Sequence, residues 1–361
     1  MIANIILSFL QNIYGMKNIV FILLLCVLGN YIVAQNINTS KGIYFGLKTG
    51  YTIAVAKSTI GSPRKEVGNR IIFSSNEGGF SYSEKNPFGS RGAGIIIAGS
   101  VGYMFSENFG LEMELSFLRG TQILDASRNE SLLDTIGNST RRYFSEQFSY
   151  TNMLRASPML VVSGDLSKKF IPYAKFGVLL PLAGKTIVEV NINDETGELA
   201  KDLLPVLNTE LADSIASKGL NIPITTTSNI KAKTSGVFSL GFTAKFGGAY
   251  KVNNKWLIFG ELEMNMLSVK SKETEFVDFY AEVPEALVLL AESFLEIDNI
   301  QNVYGFEDLP EILRLTTYED EITESSNSTY TSERKNEPFQ QLTFRDNYNS
   351  FGLLLGIRYI F

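Results

Sequence analysis

Apolar and polar residues alternate along this chain in segments of about ten residues, the period of a strand whose two faces meet different surroundings. The last segment is the clearest: Phe351, Leu353, Leu355, Ile357, Tyr359 and Phe361 fall on one face, with Gly352, Gly356 and Arg358 between them. Phe109–Phe117 repeats the pattern, setting Phe109, Leu111, Met113, Leu115 and Phe117 against Gly110, Glu112, Glu114 and Ser116. Six further segments pass the same test: Ile43–Val55, Gly94–Phe105, Phe148–Val162, Phe170–Leu182, Val237–Tyr250 and Trp256–Val269. Eight strands are an even number that can close on itself. Lipid offers no partner to a free sheet edge, so closure is what a membrane demands.

Connection lengths orient the strands. Short turns at Ser106–Asn108, Ser163–Ser167 and Val252–Asn254 belong on the periplasmic side, and the long connections near 57–93, 118–147, 184–236 and 270–350 on the cell surface. Aromatic residues sort the same way. Tyr103, Phe105, Phe109, Phe170, Tyr250, Trp256, Tyr359 and Phe361 lie at turn ends, and Tyr51, Phe117, Phe148, Tyr150, Phe238 and Phe351 at loop ends, as two interfacial girdles require. The expected fold is all-β: an eight-stranded antiparallel transmembrane β-barrel with long extracellular loops carrying short helices. Pro284–Glu296 and Asp202–Lys218 are the helical candidates. A soluble ligand-binding barrel also alternates, but it would turn its apolar face inward and leave the outside polar.

Composition narrows the function. Charged residues make up only 19% of the 361, hydrophobic residues 45%, and the net charge is −6, which leaves no basic footprint for nucleic acid. The chain has no His, the commonest general base and metal ligand. Neither a catalytic residue, a metal nor a cofactor is expected. Met16-Lys-Asn, the apolar run Ile19–Leu28 and Ala34-Gln35 read as a secretory signal peptide over 1–34, with the true start possible at Met16 and residues 35–361 forming the barrel. The single Cys26 lies in its apolar core, behind Leu25 where a lipid-attachment signal would have a small residue.

The inward set carries nine charges: Lys48, Arg155, Lys175, Lys245 and Arg358 against Glu112, Glu114, Glu261 and Glu263. An eight-stranded interior is just wide enough for side chains to fill, and isolated charges there are costly. The nine are expected to form a structural ion-pair plug, with Arg155 reaching Glu112 or Glu114, and Lys245 and Arg358 reaching Glu261 or Glu263. The 270–350 connection holds 18 acidic and 6 basic residues. Its Glu319–Glu321 run and Glu324 supply carboxylate oxygens for Ca²⁺ without the spacing of a calcium loop.

The ending Gly-Ile-Arg-Tyr-Ile-Phe361 resembles the carboxyl-terminal signature of outer-membrane β-barrels. Phe45-Gly-Leu-Lys-Thr-Gly50, Ser100-Val-Gly-Tyr103, Phe109-Gly-Leu-Glu-Met-Glu-Leu115 and Pro172-Tyr-Ala-Lys-Phe-Gly177 further resemble the outer-membrane barrel family of Bacteroidota called PorT-like. The resemblance covers the strands and not the long connections. It implies location in the bacterial outer membrane, with Tyr359 and Phe361 as the signal read by the barrel-insertion machinery. The partners expected are that machinery, membrane lipid and lipopolysaccharide, and a surface ligand of the loops. The leading reading is a non-catalytic barrel; the alternative is a narrow pore or an accessory of a protein-export apparatus.

Overall fold

Sixteen strands and three short helices appear in the computed structural model, which describes residues 42–55, 80–85, 90–133, 139–218, 224–295, 297, 300–323, 325–327 and 337–361. The signal segment 1–34, with Met16 and Cys26, lies outside the described residues, as do 56–79 and 86–89 of the first long connection. The strands are β1 (Gly42–Ala54), β2 (Phe80–Lys85), β3 (Gly94–Met104), β4 (Phe109–Gly120), β5 (Ile123–Leu133) and β6 (Ser139–Ser163). Then come β7 (Phe170–Asp194), β8 (Thr226–Gly236), β9 (Gly241–Lys251), β10 (Trp256–Met266) and β11 (Ser268–Glu282). The last are β12 (Val303–Gly305), β13 (Leu315–Glu319), β14 (Phe339–Leu342), β15 (Arg345–Asn347) and β16 (Ser350–Ile360).

Eight of these close into a ring. The antiparallel order is β1-β3-β4-β6-β7-β9-β10-β16, and β16 pairs back onto β1 from Tyr44↔Ile360 to Ala54↔Ser350. These are the eight alternating segments. Side-chain oxygens build the three short turns that join them. Ser106 Oγ accepts from Phe109 N (2.9 Å), Asp165 Oδ1 from Ser167 N (2.8 Å), and Asn253 Oδ1 from Trp256 N (2.9 Å). Such side chains mimic a backbone turn, which is why Ser, Asp and Asn occupy them. Both described chain ends lie on this turn rim, tied by Phe361 N donating to Ile43 O at 3.1 Å.

At the opposite rim the long connections are not simply loops with short helices. β6 and β7 run 25 residues each, so Phe148 and Leu182 mark where the alternation ends and not where the strands end. Above the ring they continue as a sheet in the order β14-β13-β11-β8-β7-β6-β5-β2. Helices α1 (Glu198–Leu207), α2 (Thr209–Ser217) and α3 (Glu285–Leu290), the last continued by a π-helical turn at Ala291–Leu295, lie against this sheet. Asn208 divides the expected Asp202–Lys218 helix in two, its Oδ1 accepting from Leu211 N at 3.0 Å as the cap of α2. Leu204, Leu211, Phe279, Ala281, Leu287 and Tyr304 form the buried centre of this cap. The 118–147, 184–236 and 270–350 connections therefore fold into a cap with a core of its own.

Candidate functional site

The inward residues of the ring form three layers between the turn rim and the cap. The lowest is a floor of Tyr44, Met104, Val161, Ile171, Tyr173, Leu257 and Phe259, all buried. Inward glycines make room for its rings: a Cβ on Gly102 would lie 2.1 Å from Tyr44 Cζ, and one on Gly356 would lie 2.5 Å from Phe259 Cζ. Above the floor sit the nine charges. Over them lies an apolar lid of Ile96, Ala98, Leu118, Met153, Leu179 and Leu354. The charged layer is deeply covered: Glu114 and Glu263 are each 1% exposed and Glu261 0%.

The nine charges form one continuous line in which the signs alternate. Arg358 stands 3.8 Å from Glu112, which binds Lys175 at 2.8 Å. Lys175 also contacts Glu261, which binds Lys48 at 2.5 Å. Lys48 reaches Glu114 at 2.6 Å, and Glu114 takes Lys245 at 2.8 Å. Lys245 holds Glu263 at 2.6 Å, and Arg155 ends the line 3.8 Å from Glu263. Every carboxylate is thus shared by two cations, the arrangement that a low-dielectric interior needs if ionised groups are to be kept there. Two floor tyrosines add hydrogen bonds: Tyr44 OH donates to Glu112 (2.7 Å) and Tyr173 OH to Glu261 (3.0 Å). The Arg358 guanidinium lies over the Tyr44 ring at 4.3 Å and the Tyr173 and Phe259 rings at 5.2 Å each, a cation–π cradle.

Two expected pairings differ. Arg155 goes to Glu263 and not to Glu112 or Glu114, because it sits in register with Ser116, one or two inward positions above those carboxylates. Its Nε donates to Ser116 Oγ at 3.3 Å instead. Arg358 reaches Glu112 and not Glu261 or Glu263, because the β10–β16 register sets it opposite Leu257, below both. Lys245 touches Glu263, on the adjacent strand, and also Glu114. Pairing across the lumen escapes a reading confined to neighbouring strands. So does the part played by Tyr44, Tyr173 and Phe259, which an alternation test records only as apolar or aromatic.

Above the lid lies a second charged group that local sequence does not announce. Arg91, in the connection entering β3, is 3.0 Å from Asp125 of β5 and 3.2 Å from Asp346 of β15. All three are buried. Burial pushes the Asp346 carboxyl up to about 7, against the pull of Arg91 and helped by the neighbouring Asp125. Burial raises Asp125 as well, with Arg91 opposing. In the acidic run of the cap, Asp320 receives Lys270 at 2.6 Å and Thr343 at 2.9 Å, while Glu324 lies outside the described residues.

Outside the ring the chemistry is inverted. Ile97, Leu115, Phe242 and Leu355 are 62%, 50%, 62% and 63% exposed, and comparable side chains project from all eight ring strands. At the turn rim Trp256, Tyr359 and Phe361 stack edge to face, with centroids 5.0 and 5.1 Å apart, and Lys255 lies 5.9 Å from the Tyr359 ring. Among the described residues no helix is long and apolar enough to cross a membrane, which says nothing of strands.

No protein-family model matches the sequence, and no curated protein does. Among solved structures, the chain is similar to the outer membrane protein OprG from Pseudomonas aeruginosa, at 11% identity and a TM-score of 0.32, covering 89% of this chain and 97% of that one. It is also similar to the E. coli outer membrane protein W in solution, at 13% identity and a TM-score of 0.23, covering 89% and 98%. Both likenesses are distant.

Proposed function

We propose that this protein is an integral β-barrel of the bacterial outer membrane, non-catalytic, with its lumen closed by the nine-charge line and its working surface in the cap. One observation carries this reading: every strand of the ring turns exposed apolar side chains outward, while the inward residues include nine charges. A soluble protein seldom exposes more than a few hundred Å² of contiguous apolar surface, and lipid is the medium in which such a belt is at home. Only a ring without free edges is tolerated there. The short-turn rim with both ends then faces the periplasm, and the cap faces outward.

Tyr359 and Phe361 serve as the signal for the insertion machinery, and lipopolysaccharide surrounds the upper belt. The floor and lid disfavour a narrow pore, since each would have to open before an ion met the charged layer. The cap, folded on its own core, is the part suited to a surface ligand.

Two measurements test the proposal. The protein should fractionate with the outer membrane and migrate faster on gels before heating than after it; recovery from the soluble periplasm would overturn the membrane assignment. Purified protein in planar bilayers should give no channel openings, and a reproducible conductance would overturn the closed lumen.

A further inference from the structure

On β4, β6 and β7 the apolar belt stops at a single rung. Along β4 the outward residues run Phe109, Leu111, Met113, Leu115 and Phe117, all exposed, and the next outward residue is Arg119. Strand register sets Phe117 beside Leu154 and Leu154 beside Ala183; one step higher it sets Arg119 beside Asn152 and Asn152 beside Lys185. From Phe109 to Arg119 the strand climbs about 34 Å along its own axis. At a tilt near 40° that is about 26 Å of height, the thickness of the apolar band of a membrane barrel, about 25 Å. The rung of Arg119, Asn152 and Lys185 thus stands where the outer headgroup phosphates begin.

The outer wall is hollow at this place. Arg119, Gln122, Tyr150, Asn152 and Glu189 enclose an open space of about 600 Å³ above Phe117. The carboxylates around it have partners of their own. Glu189 binds Lys231 at 2.8 Å and receives Gln122 Nε2 at 3.3 Å, and Asp278 stands opposite Lys231 in register. Glu273 meets Lys272 at 3.6 Å and Ser235 at 3.0 Å. Glu275 stands opposite Lys233 and lies 4.0 Å from Lys185, a loose contact because both side chains are 55% exposed. Arg119 is exposed, and among the described residues no ion pair ties it. Between the two cations, Asn152 Oδ1 is buried without a hydrogen-bond donor among the described residues.

We propose that this hollow seats the phosphorylated sugar headgroup of an outer-leaflet glycolipid, with the phosphate between Arg119 and Lys185. Their Cα atoms are two strand spacings apart, about 10 Å, and each side chain covers half of that. The planar guanidinium grips two phosphate oxygens at once, and the ammonium adds a point charge. A sugar hydroxyl supplies the donor that Asn152 Oδ1 lacks. The acyl chains run down the belt over Phe117 and Leu115. The inference rests on the membrane reading above and names the place at which its lipopolysaccharide partner is held.

The test uses the full chain refolded in non-ionic detergent micelles, titrated with monophosphoryl lipid A and followed by native mass spectrometry. One saturable adduct per chain is expected. Arg119→Gln and Lys185→Gln should each weaken it about tenfold, the worth of one charge-assisted hydrogen bond, whereas Lys255→Gln at the turn rim should leave it unchanged. Lipid A stripped of its phosphate should bind the unaltered chain as weakly as the intact lipid binds the double variant. Phosphatidate, which has the phosphate and no sugar, should bind less well than lipid A, and Asn152→Leu should narrow that gap. Excess inorganic phosphate should not displace the lipid. Equal binding by the unaltered chain and the double variant, an equal loss on Lys255→Gln, phosphatidate binding as tightly as lipid A, or displacement by inorganic phosphate would overturn the proposal. Loss of heat-modifiable migration in the unaltered chain would instead sink the membrane reading. Should a variant not refold, the comparison of intact and phosphate-free lipid A on the unaltered chain decides.

Discussion

Glu261→Gln cuts the line of charges at its middle. The carboxylate binds Lys48 at 2.5 Å and contacts Lys175, so the substitution strips one of two anionic partners from each of two buried cations. At an effective dielectric constant near 20, each contact carries about 6 kcal/mol of gross attraction. Losing two is offset in part because a neutral amide no longer has to be desolvated as an ion, which is worth several kcal/mol. The net cost expected is about 3–5 kcal/mol, the range for breaking a buried pair. Arg155→Met supplies the contrast, since Arg155 ends the line with a single carboxylate at 3.8 Å. Its expected cost is about 1 kcal/mol, with the smaller loss helped by keeping the volume filled. Urea titration of vesicle-folded protein, followed by Trp256 fluorescence at the turn rim, measures both. Equal costs for the two substitutions, or a Glu261→Gln chain within about 1 kcal/mol of the parent, would refute a shared, stability-bearing line.

Two further outcomes concern the cap. Asp346 has its carboxyl at about 7 in the folded cap and about 4 in an unfolded chain. The folded state holds the proton more tightly, so the stability gained is full below about pH 4 and is lost as pH rises through about 7, of order 4 kcal/mol at most. Hydrogen exchange of residues 344–349 should accelerate between pH 5 and 8 beyond the intrinsic base-catalysed rise, and Asp346→Asn should flatten that excess. Leu211→Ala, at a side chain with 0% exposure in the cap core, should cost about 2–5 kcal/mol. Limited proteolysis should then cut the cap while heat-modifiable migration of the ring is retained; a chain losing both together would show that the cap has no stability of its own.

The ring was legible because its outer and inner faces ask opposite things of consecutive residues. Glu112 and Glu114 between Leu111, Met113 and Leu115 leave no other arrangement. The cap was not legible as sheet. Arg128-Asn-Glu130 of β5 is half-buried on both faces and so shows no alternation, while in Lys231-Ala-Lys233-Thr-Ser235 of β8 the buried face consists only of the small Ala232 and Thr234, which an apolar count does not register. Which cations meet which carboxylates depends on register and on distances across the lumen, and neither is written in any one segment. Arg91, Asp125 and Asp346 are separated by long stretches of chain and become a group only when the first connection, β5 and β15 converge.

β6 and β7 pass from the wall into the cap as continuous strands, offset only by the bulge at Leu182, so no loop separates wall from cap along either of them. About twelve residues of each project above the rim, some 40 Å of extended chain. A tug on the outermost turns would be delivered as torque along this mast to the rungs that join the same two strands at Leu160↔Phe176 and Val161↔Lys175. Lys175 is itself a link in the buried line of charges, so mechanical load on the cap would be felt at the axis of the cylinder.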